Sequence, residues 1–190
     1  MKIYIDFDGT MFDTSRFYKD FLKICNNYDI SDEDVYNIRN QGSGLFSLDN
    51  LANFINQKYN LGEKFLNQVN ELYKSEYLYD DVRDFLEKNY QKYDLYILTY
   101  GEKNYQQKKI DCCNIRHYFK DIIITSDKGK ENIDYQNSWF IDNNPKELEI
   151  LSKAGASKII RIKRKGDTYF SIPCNIEIKE CFAFDEIDMI

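Results

Sequence analysis

The chain has 190 residues, of which 43% are hydrophobic and 16% aromatic, and it carries a net charge of −6. This composition excludes a disordered chain, because enough apolar surface is present to offset the entropy of folding. The acidic balance argues against general nucleic-acid binding, whose affinity comes mostly from neutralising phosphates. No unbroken apolar run approaches the roughly 18 residues of a membrane span, so no membrane association is expected.

The first predicted element is a short apolar strand over residues 2–7, which ends in the sequence Asp-Phe-Asp-Gly-Thr. From about residue 14 to residue 79, apolar residues recur at helical spacing and no strand signal intervenes. Ser31, followed by three acidic residues, is typical of a capped helix N-terminus within this stretch. The pattern therefore predicts an all-helical segment, residues 16–79, inserted after the first strand.

Strands alternate with helices from residue 80 onward. Strands are predicted over residues 94–99, 121–125, 138–142 and 157–162, and helices over residues 81–90, 102–112 and 145–154. Such alternation implies right-handed crossovers and a doubly wound parallel sheet of the α/β class. The tail, residues 176–190, alternates in polarity and adds either an edge strand or a final short helix. We therefore expect an α/β core domain of residues 1–15 and 80–190, interrupted by a helical cap domain of residues 16–79.

Polar side chains follow the predicted strands at their carboxyl ends, where ligands bind in open α/β sheets. The set comprises Asp6, Asp8, Gly9 and Thr10 after the first strand, Thr99, Tyr100 and Gly101 after the second, Lys128 and Lys130 after the third, and Asp142 and Asn143 at the end of the fourth. Clustered carboxylates repel one another unless a hard cation lies among them, and oxygen ligands suit Mg²⁺. A bound Mg²⁺ would attract a phosphate group, whose remaining oxygens Thr99 and a lysine would hold.

Four short motifs, each at a predicted strand end, resemble those of the haloacid dehalogenase (HAD) superfamily. Residues 6–10 look like the first motif, DxDGT, and residues 98–101 match the second, a hydrophobic residue followed by Thr or Ser, any residue and Gly. Lys128, with Lys130 as the alternative, fits the lysine of the third motif, and Asp142 resembles the acidic fourth motif. The resemblance implies a Rossmann-like HAD core with an inserted helical cap of the first (C1) type.

The resemblance also implies a role for each matching residue. Asp6 would be the nucleophile that forms an aspartyl phosphate, and Asp8 would protonate the leaving alcohol and then deprotonate the attacking water. Asp6, Asp142 and the backbone carbonyl of Asp8 would ligate Mg²⁺, and Asn143 would order a metal-bound water through its carbonyl oxygen. Substrate contacts are expected from Thr10, Thr99, Tyr100, Gly101 and Lys128, of which Lys128 would also offset the charge of the carboxylates.

The carboxylate at position 8 bears on the reaction type, because a phosphomonoester needs an acid for its leaving alcohol and a halide does not. We therefore expect Mg²⁺-dependent hydrolysis of a small phosphorylated metabolite, such as a nucleotide or a sugar phosphate. The alternatives are a phosphomutase that uses the same residues and a non-catalytic module that binds phosphate or metal. Asn143 stands where a second aspartate is common in the family, so we expect weaker Mg²⁺ binding without loss of activity.

Four remaining features are interpreted without a role in the reaction. The basic run within residues 158–165 is interpreted as a strand with one solvent-exposed face followed by a basic loop. His117, the only histidine, is assigned to the surface or to a helix end. The five cysteines are odd in number and form no CxxC pair, which is typical of reduced thiols in a cytoplasmic protein. Asp6 lies so early in the chain that it would interrupt the apolar core of a signal peptide.

Overall fold

The computed structural model describes residues 1–42, 44–127 and 131–189. Its strands are β1 (Lys2–Ile5), β2 (Asp94–Tyr100), β3 (Asp121–Thr125), β4 (Ser138–Asp142), β5 (Lys158–Ile162) and β6 (Lys179–Cys181). Its α-helices are α1 (Thr14–Asn26), α2 (Asp32–Gln41), α3 (Leu48–Tyr59), α4 (Glu63–Glu71), α5 (Val82–Asn89), α6 (Lys103–Cys112) and α7 (Pro145–Lys153). Single 3₁₀ turns cover Leu72–Lys74, Arg116–Tyr118, Tyr135–Asn137 and Phe184–Glu186.

The six strands form one parallel sheet in the order β3-β2-β1-β4-β5-β6. The predicted α/β class with a doubly wound parallel sheet is therefore confirmed. β2 and β3 lie on one side of β1, whereas β4, β5 and β6 lie on the other, so the strand order reverses between β1 and β4. In such sheets a crevice opens at the reversal, outside the carboxyl ends of the strands. The fold thus brings the ends of β1 and β4 together at the place where a ligand is expected.

The central strands are apolar because a parallel sheet is covered on both faces. Ile5 of β1 is fully buried and pairs in register with Ile97 on one side and Ile141 on the other. Tyr4 points to the opposite face from Ile5 and stacks on Phe140, with ring centroids 5.2 Å apart. This packing fixes the register of β1 against β4, and with it the relative height of the residues that follow each strand.

β1 ends at Ile5, two residues earlier than the sequence pattern predicts. Phe7 is fully buried although it lies beyond the strand. The chain turns there instead of continuing, because the Phe7 carbonyl oxygen accepts the backbone N–H groups of Met11 and Phe12 at 3.0 and 2.8 Å. Apolar character alone therefore overestimated the length of the strand.

The C-terminal tail contains both of the elements that the sequence left as alternatives. β6 pairs in parallel with β5 and forms the edge of the sheet. A 3₁₀ turn at Phe184–Glu186 follows it, and the buried ring of Phe184 packs on Phe85 of α5 with centroids 4.6 Å apart. The tail therefore forms one edge of the sheet and also packs against α5.

The interpretation of residues 158–165 as a strand with a solvent-exposed face is wrong for its two arginines. Arg161 is fully buried and Arg164 is 6% exposed. β5 is an interior strand between β4 and β6, so a charged side chain within it must find its partners inside the protein. Arg161 donates hydrogen bonds to Glu180 at 2.8 Å and to the carbonyl oxygens of Tyr169 and Ile172 at 2.7 Å each.

The chain separates into two compact units. The sheet lies in the unit formed by Met1–Ser15, Leu78–Tyr100 and Asn114–Ile190, and the other unit comprises Arg16–Tyr77 and Gly101–Cys113. The second unit therefore contains α6 in addition to most of the segment assigned to a cap. The division into a core domain and a cap domain of residues 16–79 stays a prediction, because a compact unit is not by itself an independently folding domain.

The helical unit is built around aromatic contacts. Phe17 of α1 packs edge-on against Tyr73 and Tyr77, with ring centroids 5.4 and 5.0 Å apart. Ser31 caps α2 as predicted, because its side chain accepts the backbone N–H of Asp34 at 3.1 Å. Across the parts of the chain that the structure describes, no helix combines the length and the apolar character needed to cross a membrane.

Candidate active site

The loop that follows β1, residues 6–12, is a tight turn held by its own backbone. The N–H of Gly9 donates to the carbonyl oxygen of Phe12 at 2.8 Å, in addition to the two bonds that the Phe7 carbonyl accepts. Gly9 has a φ of +73°, in the left-handed region that favours glycine. Asp6 is 6% exposed and Asp8 is half-buried. The turn therefore fixes two carboxylates at the carboxyl end of β1.

Asp6 and Asp142 follow neighbouring strands at the reversal of the sheet. The backbone N–H of Asp6 donates to the carbonyl oxygen of Ile141 at 2.8 Å, which extends the ladder between β1 and β4 by one residue. Asp142 is the last residue of β4 and is 2% exposed. Two buried carboxylates on adjacent strands repel each other unless a cation or a proton lies between them. The structure thus brings together the two aspartates that the sequence predicted to share a metal.

The side chain of Asp142 is held by the start of the helix that follows it. The backbone N–H of Asn144 donates to Asp142 Oδ1 at 2.8 Å. Asn144 also caps α7, because its side-chain oxygen accepts the N–H of Lys146 at 3.0 Å. Pro145 follows in the first turn, where a missing N–H leaves no helical hydrogen bond unmade. The aspartate is therefore positioned by the same few residues that begin the helix.

The carboxylate of Asp8 is held by the first residue of α1. The hydroxyl of Thr14 donates to Asp8 Oδ1 at 2.8 Å. A hydrogen bond of this length has ordinary O–H···O geometry and orients the group that accepts it. Thr14 therefore restricts the orientation of Asp8, the residue that the family resemblance assigns to proton transfer.

Thr10 and Asn143 are both buried and meet between the loops after β1 and β4. The hydroxyl of Thr10 donates to Asn143 Oδ1 at 3.4 Å, a long and therefore weak hydrogen bond. A Cβ atom at Gly9 would lie 2.2 Å from Asn143 Nδ2, so only glycine leaves room for the amide at that position. The amide of Asn143 is thus packed directly against the turn that carries Asp6 and Asp8.

Thr99 lies in β2, one residue before its end, and is fully buried. Its hydroxyl oxygen has no hydrogen-bond partner among the residues that the structure describes. Leaving a buried hydroxyl unpaired costs about 1–3 kcal/mol. Because no described residue satisfies this group, its position favours a role in binding a ligand.

Tyr100, Gly101 and the two candidate lysines stay predictions as site residues. Tyr100 ends β2 and is 46% exposed. Gly101 opens the second segment of the helical unit, so its predicted contact with substrate stays a prediction. Lys128 and Lys130 lie outside the described residues, and the choice between them stays open. His117 is exposed within the 3₁₀ turn at Arg116–Tyr118, as its assignment to the surface predicted.

The segment between β5 and β6 contributes residues that the sequence reasoning missed. Asn143 Nδ2 donates to Asp167 Oδ2 at 2.9 Å, and the backbone N–H of Tyr169 donates to the same oxygen at 3.1 Å. Arg164 donates through Nε to the carbonyl oxygen of Thr10 at 3.1 Å. The carboxyl end of β5 lies at the same edge of the sheet as that of β4. The rule that ligands bind outside the carboxyl ends of the strands, here called the strand-end rule, therefore identifies this segment when it is applied to β5.

The pKa values of two groups in this segment are raised, mainly by burial. Burial raises the pKa of the Asp167 carboxyl above its ordinary value, while hydrogen bonds from Asn143 and from the Tyr169 backbone oppose the shift. Burial also raises the pKa of the Tyr169 phenol, and the nearby carboxylates of Asp167, Asp142 and Asp6 add to that shift. The carboxylate contributions to the Tyr169 shift show that negative charge is concentrated at this edge of the sheet.

The donors at this edge suit a hard divalent cation, because they are oxygen atoms of carboxylates, amides and the backbone. Within residues 1–42, 44–127 and 131–189, no three His, Cys, Asp or Glu side chains are grouped so that they alone could hold a metal ion. Asp6 and Asp142 would therefore bind a metal together with carbonyl oxygen and water. Few carboxylates and several waters are the usual environment of Mg²⁺, so the residues fit that ion.

Comparison with known proteins identifies the family. Residues 3–139 match the family model described as haloacid dehalogenase-like hydrolase, which is more than half of the chain. The match includes the motifs at residues 6–10 and 98–101. The comparison with curated protein sequences finds no match.

The structural match to solved proteins with the same fold covers almost the whole chain. A 2-haloacid dehalogenase of Pseudomonas syringae has a TM-score of 0.68 and 12% identity, covering 97% of this chain and 94% of that one. A protein of Bacillus subtilis described as a HAD hydrolase, in a crystal structure bound to magnesium, has a TM-score of 0.65 and 16% identity, covering 97% and 95%. A Haemophilus somnus protein described as a predicted phosphoglycolate phosphatase has a TM-score of 0.59 and 15% identity, covering 96% and 93%. At these identities the likeness establishes the fold alone.

Proposed function

The chain belongs to the haloacid dehalogenase-like hydrolases, and from this premise we propose that it hydrolyses a small phosphomonoester with the help of Mg²⁺. The reaction would pass through an aspartyl phosphate on Asp6. The observation that carries the proposal is the placement of Asp6 and Asp142 on adjacent strands at the reversal of the sheet, both almost fully buried. The hydroxyl of Thr99, on the strand next to β1, has no partner within the described part of the chain and is a group suited to a phosphoryl oxygen.

Asp6 is the proposed nucleophile. A carboxylate oxygen would form a bond to phosphorus while the bond between phosphorus and the ester oxygen breaks, and the alcohol would leave with the bonding electrons. The backbone of Asp6 is held by its hydrogen bond to Ile141, so the attacking group starts from a fixed position. Such positioning lowers the entropic part of the barrier.

Asp8 is the proposed acid and base. It would give a proton to the leaving alcohol in the first step. In the second step it would take a proton from the water that attacks the aspartyl phosphate, which restores both aspartates to their starting states. The hydrogen bond from Thr14 would hold the Asp8 carboxyl in one orientation through both transfers. A carboxyl group at position 8 favours a phosphomonoester over an organic halide, because a halide ion leaves without protonation.

The proposed Mg²⁺ ligands are Asp6, Asp142 and the backbone carbonyl of Asp8, with Asn143 beside them. When bound, the metal would neutralise the carboxylates and the negative charge of the substrate phosphate. Thr99 would donate a hydrogen bond from its hydroxyl group to a phosphoryl oxygen. Lys128, which lies outside the described residues, is proposed to bind a second phosphoryl oxygen.

We extend the proposal to the substrate and the compartment. A nucleotide or a sugar phosphate is the proposed substrate, and no nucleic acid is proposed as a partner, because the net charge is −6. The cytoplasm is the proposed compartment. The support for it is that all five cysteines are free thiols, as is usual where glutathione and thioredoxin keep thiols reduced.

Release of phosphate from an aryl phosphate tests the proposal. The rate would be measured with Mg²⁺ and with a chelator for the wild type, Asp6→Asn and Asp121→Asn. Asp121 is exposed at the amino end of β3, the opposite edge of the sheet, so its variant controls for the loss of one carboxylate. We expect Mg²⁺-dependent turnover that Asp6→Asn abolishes and Asp121→Asn leaves unchanged.

Other results would select an alternative function. Release of halide from a 2-haloacid, without phosphate release, would identify a dehalogenase. Slow hydrolysis that a sugar bisphosphate stimulates would indicate a phosphomutase. Binding of both Mg²⁺ and inorganic phosphate without any turnover would indicate a non-catalytic module.

A further inference from the structure

We propose that Asp167 is a positioning residue of the site, which holds the side-chain amide of Asn143 with its carbonyl oxygen turned toward the loop after β1. The inference rests on the proposed function, since it concerns the strength with which that site binds Mg²⁺. Asp167 lies in the segment between β5 and β6 and outside all four sequence motifs. Its carboxylate reaches the end of β4 through one hydrogen bond.

The orientation of the Asn143 amide follows from the chemistry of its neighbours. An ionised carboxylate can only accept hydrogen bonds, so the end of the amide that faces Asp167 at 2.9 Å must be the NH₂ group. The carbonyl end then points away from Asp167, toward the hydroxyl of Thr10 at 3.4 Å. The bond to Thr10 is weak, so Asp167 is the partner that decides between the two orientations of the amide.

Gly9 limits the freedom of the amide on a second side. The NH₂ group occupies the space that a Cβ at Gly9 would fill, 2.2 Å from the Nδ2 atom. The same hypothetical Cβ would lie 3.0 Å from Asp167 Oδ1. Asn143 is therefore enclosed between the turn at Gly9 and the carboxylate of Asp167, and it is only 3% exposed.

Asp167 is itself held in place by its own segment. Its backbone N–H donates to the carbonyl oxygen of Arg164 at 3.0 Å, and its side chain accepts the N–H of Tyr169. The carbonyl oxygen of Tyr169 accepts a hydrogen bond from the fully buried Arg161, which also donates to the carbonyl oxygen of Asn143 at 3.4 Å. Since Arg161 ties both segments together, the distance between Asp167 and Asn143 is set by buried groups.

Asp167 also changes the expected strength of Mg²⁺ binding, which was inferred from the amide at position 143. With an amide at position 143 the site loses one negative charge, and the sequence predicted weaker Mg²⁺ binding for that reason. The carboxylate of Asp167 returns a negative charge one hydrogen bond away. Groups that orient a metal ligand in this way typically change metal affinity by about 10- to 100-fold when they are removed.

Calorimetric titration with Mg²⁺ alone, without substrate, tests the inference. We expect Asp167→Ala to weaken binding by about tenfold and Asp167→Asn to weaken it less, because an amide oxygen can still accept from Asn143. The double variant Asn143→Asp with Asp167→Asn keeps the net charge and reverses the polarity of the hydrogen bond, so we expect it to restore most of the affinity. Asp121→Asn, with one carboxylate removed at the opposite edge, is expected to bind like the wild type.

A second measurement follows Asn143 itself in the absence of metal. The side-chain NH₂ signal of Asn143 in a ¹⁵N–¹H spectrum is identified by its loss in Asn143→Asp, and we expect it to shift in Asp167→Ala. Urea unfolding of each variant separates these effects from misfolding, and unchanged Mg²⁺ affinity with an unshifted NH₂ signal in folded Asp167→Ala would overturn the inference. If that happens while the wild type binds Mg²⁺ and releases phosphate, the proposed function stands. A wild type that neither binds Mg²⁺ nor releases phosphate removes the proposed function, and the inference with it.

Discussion

The ion pair between Asp81 and Arg164 is expected to contribute strongly to stability. Arg164 donates to both carboxylate oxygens of Asp81, at 2.8 and 2.9 Å, and the side chains are 6% and 20% exposed respectively. The backbone N–H of Phe184 donates to the same carboxylate at 2.7 Å. The substitution Asp81→Ala therefore leaves a buried guanidinium without its carboxylate and a backbone N–H without its acceptor.

The size of the effect follows from this environment. Removing one partner of a buried pair costs about 3–5 kcal/mol. We expect about 3 kcal/mol for Asp81→Ala, at the lower end of that range. The reason is that Arg164 keeps the carbonyl oxygens of Thr10 and Phe182 as acceptors, at 3.1 and 3.3 Å. Arg164→Met should cost less, because Asp81 would retain both the Phe184 N–H and its contact with water.

Urea unfolding followed by circular dichroism measures these free energies. Lys74→Ala is the matched control, since the pair of Lys74 with Glu71 is 71% and 62% exposed and should contribute less than about 1 kcal/mol. The double variant Asp81→Ala with Arg164→Met should cost less than the sum of the two single variants, because no unpaired buried charge is left. The reasoning is refuted if Asp81→Ala costs no more than Lys74→Ala, or if the single effects simply add.

Three other predictions concern the site and the thiols. Gly9→Ala should lower the rate of phosphate release at least about tenfold by displacing the Asn143 amide, whereas Gly62→Ala, also at positive φ but with open space around it, should leave the rate unchanged. Thr99→Val should leave stability equal or higher, because it removes a buried hydroxyl that no described residue pairs with, while kcat/KM falls. Urea unfolding and steady-state kinetics measure the two effects. Cys112 should react with iodoacetamide at neutral pH before Cys25, as peptide mass spectrometry would show. A hydrogen bond with Cys113 lowers the pKa of the Cys112 thiol and so preserves its thiolate at lower pH, whereas burial raises the pKa of Cys25 to about 12.

The fold could be predicted from the sequence because its central strands are continuous apolar runs separated by helical patterns. Such runs arise where a parallel sheet is covered on both faces, as for residues 3–5 and 95–98. The strand boundaries were less predictable. Phe7 is as apolar and as buried as Ile5, yet it lies in a turn, because the backbone hydrogen bonds of the turn depend on Gly9 and on the residues after it. The hydrophobicity of a residue predicts that it is buried. It does not predict the backbone hydrogen bonds that decide whether the residue lies in a strand or in a turn.

The candidate site could be predicted as far as the strand-end rule was applied. Asp6, Asp142 and Thr99 were identified because each lies at or just after the end of a strand recognised in the sequence. Asp167 was missed because it follows β5 by five residues in a segment with no periodicity, and an Asp after a Gly is typical of a surface turn. Its contact with Asn143 depends on how that segment folds back toward β4, which no local pattern records.

The two buried arginines offset part of the negative charge of the candidate site. Arg161 is anchored to the carbonyl oxygens of Asn143 and Tyr169, and Arg164 to that of Thr10, so both guanidinium groups lie directly behind the loops that carry the carboxylates. Burial raises the pKa of Asp167, and the charge of Arg161 is among the effects that oppose the shift. A basic run that the sequence pattern assigned to solvent therefore stabilises the acidic edge of the sheet from within.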